Sequence, residues 1–371
     1  MATMTTATSE ALRSRVAEAL AARMAGEARK DEYVTTAKQP EAPKKPTLFE
    51  DEIPQPSGDG VKEYAEIIGH PHPNGEFYFH TYKKEDWPEE LQSLIPEIDT
   101  NMEFDDDLAL AILMGIEYDK PVFAYGAPGA GKSVTPEQIC ARIGYPFMFC
   151  AGMGGTEPSD YVGSPWVSDG SMEWKDGPMS YAVRKGVFLL YDEPFKASAQ
   201  TNMCIQSLLD TRRTLKLYGH PDPVKGNLRA HGSFRIMLAD NVRGSGDQMD
   251  KFAAEIQDQS TLNRMVYKVH VPYPTEKAEK EILRRKFPQL TERLATKIVS
   301  LANMIRKGWE QGTITMPYSV RDSQELAEQS LRLRNPAYAF KMTYFDAVND
   351  DVEKKELEKM WNMVKFDEYK L

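Results

Sequence analysis

Between Lys120 and Pro274 the chain alternates short apolar runs with helical or irregular stretches. The runs are Pro121 to Tyr125, Pro146 to Cys150, Val187 to Tyr191, Phe234 to Leu238 and Val266 to Val271. Near-continuous apolar runs of this length are what strands look like when both faces of a parallel sheet are covered, so the pattern predicts an α/β core. A helix is expected from Phe104, with Asp105, Asp106 and Asp107 in its first turn and Leu108 to Ile116 on its apolar face, because acids complement the helix dipole there. Two hairpins interrupt the alternation. One spans Ser164 to Lys175, turns at Asp169-Gly170 and carries Trp166 and Trp174 on its arms. The other joins Thr214 to Tyr218 with Asn227 to His231 through a Pro-rich loop. After Pro274 the pattern is purely helical, broken near Phe287-Pro288 and between Gly308 and Pro317, which predicts a separate helical lid.

Upstream, Leu12, Val16, Leu20 and Met24 fall at four-residue spacing on a short amphipathic helix. It reads as a docking or frayed helix rather than a targeting signal, since Glu10, Glu18 and Glu27 break the acid-poor character of a transit peptide. Pro40, Pro43, Pro46, Pro54 and Pro56 follow in a polar linker. Phe77 to Tyr82 has strand composition behind the turn signal Pro73-Asn74-Gly75. His70, His72 and His80 read as turn and surface histidines, because no carboxylate or cysteine stands at ligand spacing. The expected divisions are 1–60, helix and linker; 61–100, a small module; 101–274, the α/β core; and 275–371, the lid and C-terminal helices.

Composition narrows the class. The 371 residues hold 46 Lys and Arg against 56 Asp and Glu, a net charge of −10, with 41% hydrophobic residues. No stretch approaches the roughly 20 apolar residues that a membrane span needs, so no membrane partner is expected. The acidic balance argues against a protein built to coat nucleic acid. Cys140, Cys150 and Cys204 are widely spaced and odd in number, which fits a reducing, cytoplasmic setting rather than a disulfide framework.

The sharpest chemical signal is Gly126-Ala127-Pro128-Gly129-Ala130-Gly131-Lys132-Ser133, placed between an apolar run and a helix-like segment opening at Val134. A strand feeding a glycine-rich loop and then a helix N-terminus gathers backbone N–H groups around phosphate. Lys132 neutralises the β/γ oxygens and Ser133 offers its hydroxyl to Mg²⁺. The second signal is Val187 to Tyr191 ending in Asp192-Glu193. Asp192 at the strand tip is placed to hold hydrated Mg²⁺, and Glu193 to polarise the water that attacks the γ-phosphorus of ATP. Pro136 is expected to kink the following helix slightly while leaving the phosphate amides intact.

With these residues the chain resembles the AAA+ ATPases, within them the MoxR-like clade and its branch of aerobic cobaltochelatase ATPase subunits. The resemblance runs from about Pro96 to Arg321 and takes in Pro96-Glu97-Ile98-Asp99, Ser159 to Gly163, Gly177-Pro178 and Ile205 to Leu209. It implies a homo-hexamer with ATP between neighbouring subunits, and a hairpin at Ser164 to Lys175 that faces partners or the pore. It also implies that Asn241 holds the attacking water with Glu193, that Arg264 reaches a neighbour's ATP as an arginine finger, and that Arg321 opens a lid helix as a sensor arginine. Two departures stand out: Pro194-Phe195-Lys196 replaces a polar Asn-Arg pair, and Asn263 replaces the acid before the finger. The expected function is Mg-dependent ATP hydrolysis by a ring motor that remodels a larger partner subunit, with metal insertion into a tetrapyrrole as the specific version. That version requires a metal-binding partner. A MoxR-type chaperone is the alternative, ahead of a DNA-handling ATPase or a non-hydrolysing scaffold.

Overall fold

The apolar runs become strands β1 (Val122–Gly126), β2 (Phe147–Ala151), β3 (Phe188–Asp192), β4 (Arg235–Asp240) and β5 (Tyr267–Val271), each starting one residue later than its run. The computed structural model describes residues 60–168, 170–242 and 259–366, so the expected N-terminal helix and most of the linker lie outside it. All five strands are parallel in the order β5-β1-β4-β3-β2. Central strands cannot alternate apolar and polar positions when both sheet faces are covered, and Phe188 to Tyr191 are accordingly buried without a break. Parallel register aligns Asp240 with Tyr125 and Ala239 with Asp192, so every strand delivers its C-terminal end to the same rim.

Helices α1 (Asp106–Glu117), α2 (Val134–Ile143) and α3 (Pro178–Lys185) pack on this sheet. Asp105 caps α1 by accepting from the Leu108 amide at 2.9 Å, so the helix begins two residues after Phe104. Val61–Glu63 pairs antiparallel with Tyr78–His80, and Tyr64, Phe79, Trp87 and Leu91 join the same core as the sheet. His72 differs from the expected surface residue. It is buried edge-on between Tyr64 and Phe77, with ring centroids 5.1 and 5.2 Å away, and Nδ1 accepts from the Asn74 amide at 3.1 Å. An imidazole so placed fills an aromatic core.

Both hairpins form, from Gly163–Ser168 with Ser171–Asp176 and from Thr214–Lys216 with Asn227–Arg229. Their tryptophans do not act as a pair, because Trp166 stands opposite Glu173 and Trp174 opposite Pro165, which puts the two rings on opposite faces. Trp174 lies 5.3 Å from His220 in the second hairpin's loop and donates to Asp176 at 2.9 Å. Trp166 is 59% exposed.

The lid comprises α5 (Glu276–Lys286), α6 (Glu292–Glu310), α7 (Val320–Leu333), α8 (Pro336–Thr343) and α9 (Asp351–Val364), with α4 (Gln259–Asn263) preceding β5 in the core. Thr275, Thr291 and Ser319 cap α5, α6 and α7, and the breaks fall where Phe287-Pro288 and Gly308 to Pro317 put them. A second apolar core includes Leu283, Ile298, Ile305, Phe340 and Trp361. Inside it Arg306 grips Glu279 with two bonds of 2.6 and 2.8 Å and donates to the Tyr318 carbonyl at 3.0 Å. Its guanidinium also lies 4.2 Å from the Tyr273 ring, at the junction of core and lid. Glu279 is fully buried, so removing its partner strands a charge. Arg306→Ala should therefore cost about 3–5 kcal/mol in chemical denaturation. Arg332→Ala, which breaks an exposed pair with Glu328, should cost at most about 1 kcal/mol.

Candidate nucleotide site

The rim of the sheet holds the glycine-rich loop. Gly126 takes φ +141°, a conformation open to glycine, and a side chain there would overlap the Val271 carbonyl at the end of β5. The Ala127 amide donates to that same carbonyl at 3.2 Å. Gly129, at φ +66°, lies against the Ser319 side chain at the N-terminus of α7, so the lid touches the loop at its tip. Gly131 is the third left-handed glycine in the loop, at φ +92°, and the helical ladder starts directly after it as the Thr135 amide donates to the Gly131 carbonyl at 2.9 Å. Val134 is the first residue of α2 and Pro136 its third, where helical amides mostly lack an intrahelical partner.

Five side chains then converge. Ser133 donates to Asp192 Oδ2 at 2.6 Å. Lys132 Nζ donates to the carbonyls of Gly126 and Ala127 at 3.0 and 2.6 Å and to Asn241 Oδ1 at 2.9 Å. Asn241 Nδ2 reaches Glu193 Oε1 at 3.3 Å, which links the lysine to the carboxylate. Glu193 itself is left-handed, at φ +49°, with its amide bonded to the Ala239 carbonyl at 2.7 Å. Such a conformation in a residue with a side chain is strained and is held only where the surroundings determine it. Burial raises the Asp192 carboxyl above its ordinary range, while the Ser133 hydroxyl opposes the shift.

Two residues that the sequence reading passed over complete the site. Asp240, nearly fully buried, accepts from the Phe195 and Val242 amides at 2.9 and 3.1 Å, and burial pushes its carboxyl up to about 6. Lys196 Nζ lies 2.6 Å from Glu193 Oε2. The signal for Asp240 was its place beside Asn241 at the end of an apolar run; Lys196 showed only as a departure from a family pattern.

The arginines stand elsewhere. Arg264 donates to the Ser260 carbonyl at 2.6 Å and lies 3.9 Å from Asp210, with no bond to the glycine-rich loop of its own chain. Gln206 clips α4 by donating to Ser260 and Thr261 at 3.1 and 2.9 Å. Arg321 is exposed on the first turn of α7, two residues beyond the Ser319 that touches Gly129.

The donor set suits a phosphate chain and a hard divalent cation. Left-handed glycines leave room for close approach, Lys132 turns its protons on bare carbonyls, and a hydroxyl beside a carboxylate supplies the oxygen ligands that Mg²⁺ prefers. The family model described as an AAA domain of the dynein-related subfamily matches residues 121–255, which contain this rim. An aerobic cobaltochelatase subunit CobS from a Sinorhizobium species is 26% identical over 69% of this chain and 79% of its own length. The protein CbbQ of Hydrogenophilus thermoluteolus is 27% identical over 44% of this chain and 57% of its own. The chain is similar to the MoxR-like AAA+ ATPases and has the P-loop AAA+ fold. Among solved structures, a Thermotoga maritima RuvB Holliday junction branch migration motor aligns with a TM-score of 0.41 at 15% identity, over 67% of this chain and 69% of that one.

A nucleotide site of this AAA+ type carries its own pH dependence. Burial pushes the Lys132 ammonium down to about 8, with Asp192, Asp240 and Glu193 partly offsetting the effect. An unfolded lysine holds its proton to about 10.4, so the burial cost applies in full below about pH 8 and fades as pH climbs between the two values. Phosphate requires the charged form, so binding above pH 8 must take up a proton. Calorimetric affinity for ATP should therefore fall by up to about tenfold per unit between pH 8.5 and 9.5. Lys132→Arg, which stays charged, should flatten that slope, and a flat wild-type profile would contradict the assignment.

Proposed function

We propose that this chain hydrolyses Mg·ATP at the rim of β1, β3 and β4 and that it works as a cytoplasmic ring motor, a homo-hexamer acting on a larger partner. The observation that carries the reading is the convergence of Ser133 with Asp192 and of Lys132 with Asn241 and Glu193 at bonding distance. Residues 126–134 would hold the phosphate chain, and Ser133 and Asp192 would hold Mg²⁺, which would supply charge neutralisation on the phosphates. Glu193 takes the proton of the attacking water and Asn241 keeps that water and the carboxylate aligned. Arg264, which among the described residues bonds the Ser260 carbonyl and pairs with Asp210, serves the neighbouring subunit's ATP, while Arg321 approaches from the lid.

Glu193→Gln should keep ATP affinity within about threefold and lower turnover about 10²–10⁴-fold, the usual worth of a general base, in a steady-state phosphate-release assay. Normal turnover in this variant would remove Glu193 from the role. Doping wild-type rings with Arg264→Ala subunits should depress turnover more steeply than the wild-type fraction, because each missing guanidinium disables another subunit's site. A strictly proportional fall in rings shown to be mixed would contradict action in trans.

The likeness to a cobaltochelatase subunit supports metal insertion into a tetrapyrrole as the specific task. Among the described residues no group of three or more His, Cys, Asp or Glu is arranged to hold a metal cargo, so the partner must carry that site. The second reading is a MoxR-type chaperone acting on a protein complex, supported by the likeness to CbbQ. Glu193→Gln protein held with ATP and presented with its native extract separates them. The chelatase reading expects capture of a large metal- and tetrapyrrole-binding subunit, lost when the exposed hairpin at 164–175 is shortened, and capture of a complex without such sites favours the chaperone.

A further inference from the structure

The glycine-rich loop is braced from two sides. At Gly126 and Ala127 it leans on the carbonyl of Val271, the last residue of β5, and at Gly129 it leans on Ser319, the cap of α7. Both supports lead to one side chain. Arg306 on α6 donates from Nε to the Tyr318 carbonyl at 3.0 Å, one residue before Ser319, and its guanidinium lies 4.2 Å from the ring of Tyr273, two residues after Val271.

Arg306 has little freedom to shift. Its two terminal nitrogens bond Glu279 on α5 at 2.6 and 2.8 Å, and Glu279 accepts in addition from Ser323 on α7 at 2.7 Å. All three residues are buried, and the Ser323 amide returns to the Ser319 carbonyl at 3.3 Å, so the start of α7 is gripped twice. Tyr273 joins this network through its ring. Its hydroxyl is buried and finds no hydrogen-bond partner among the described residues, which costs stability without return, whereas a ring face beside a desolvated guanidinium is attracted to it. Val271 in turn is held by the sheet, in register with Gly126. Between these two anchored residues stands Pro272 alone, and its own ring fixes its φ. The pivot between core and lid is therefore a single stiff residue.

We propose that Arg306 and Tyr273 are positioning residues for the nucleotide, which tie the β5 and α7 supports into one unit so that the loop meets phosphate already braced from both sides. The inference rests on this rim being the nucleotide site. Neither residue touches phosphate; they act through Val271 and Ser319. With the tie cut, the two supports move independently and the nucleotide bears the cost of ordering them. By reciprocity, nucleotide bound at the loop must tighten α7 through the same tie.

Tyr273→Leu removes the ring face and leaves the Arg306–Glu279 pair in place. Calorimetric ATP affinity of the full chain should fall about fivefold, within the worth of a cation–π contact, while Tyr273→Phe, which gives up only the unpartnered hydroxyl, should bind as wild type. Arg306→Lys keeps a charge beside Glu279 but loses the fork that also reaches the Tyr318 carbonyl, and should show a similar loss from the α7 side. A purely structural role would not move the second readout, hydrogen exchange. A saturating non-hydrolysable ATP analogue should slow the α7 amides severalfold in wild type and Tyr273→Phe and leave them nearly unchanged in Tyr273→Leu. Wild-type affinity in Tyr273→Leu or in Arg306→Lys, an equal loss in Tyr273→Phe, or analogue-linked slowing of α7 that survives in Tyr273→Leu would overturn the tie alone. If the wild-type chain binds no ATP, the nucleotide-site reading falls and the tie with it.

Discussion

Parallel register between neighbouring strands is the constraint on which everything at this site depends. Because β1, β3 and β4 run the same way and share one rim, residues 59 positions apart, Ser133 and Asp192, meet at 2.6 Å. Lys132 and Asn241, separated by 109 positions, meet at 2.9 Å for the same reason. A slip of one residue between β3 and β4 would turn Asp192 to the other face of the sheet and break the set. The unbroken apolar burial of β3 and β4 resists such a slip, so core packing and chemistry are two consequences of one arrangement.

That arrangement carries an electrostatic cost. Lys132, Asp192 and Asp240 are each shifted toward their neutral forms by burial. The attraction of the acids for Lys132 and the bonds the three make to Ser133, Asn241 and backbone groups offset part of this, and a phosphate chain with its cation offsets more, since it returns full charges to the lysine and the carboxylate. Strain is stored in the same place: Glu193 is left-handed because its amide is tied to β4 and its carbonyl side is crowded by Gly152. The site is organised before ligand arrives, at the expense of local stability.

Much of this was legible in the chain because the signals are local. The glycine-rich loop, the apolar runs, the Asp192-Glu193 strand end and the Ser319 cap each occupy a few consecutive residues, and each forms where expected. What escaped depends on register or tertiary contact. The opposite faces of Trp166 and Trp174 follow from pairing Ser168 with Ser171, a parity that residue types alone do not display. His72 reads as a turn residue until Tyr64 and Phe77 close around it. The hold of Lys196 on Glu193 needs a left-handed glutamate, and the touch of Ser319 on Gly129 needs the lid in place; neither leaves a mark in the pattern of types.

The most direct test of the central claim, that this rim assembles one Mg·ATP site, is a double-mutant cycle on Ser133→Ala and Asp192→Asn, read as the Mg²⁺ dependence of ATP affinity. If the two side chains hold the same cation, each single variant should lose most of the Mg²⁺ effect and the double variant should lose little more, a strongly non-additive cycle. Additive losses, or a wild-type affinity indifferent to Mg²⁺, would contradict the account.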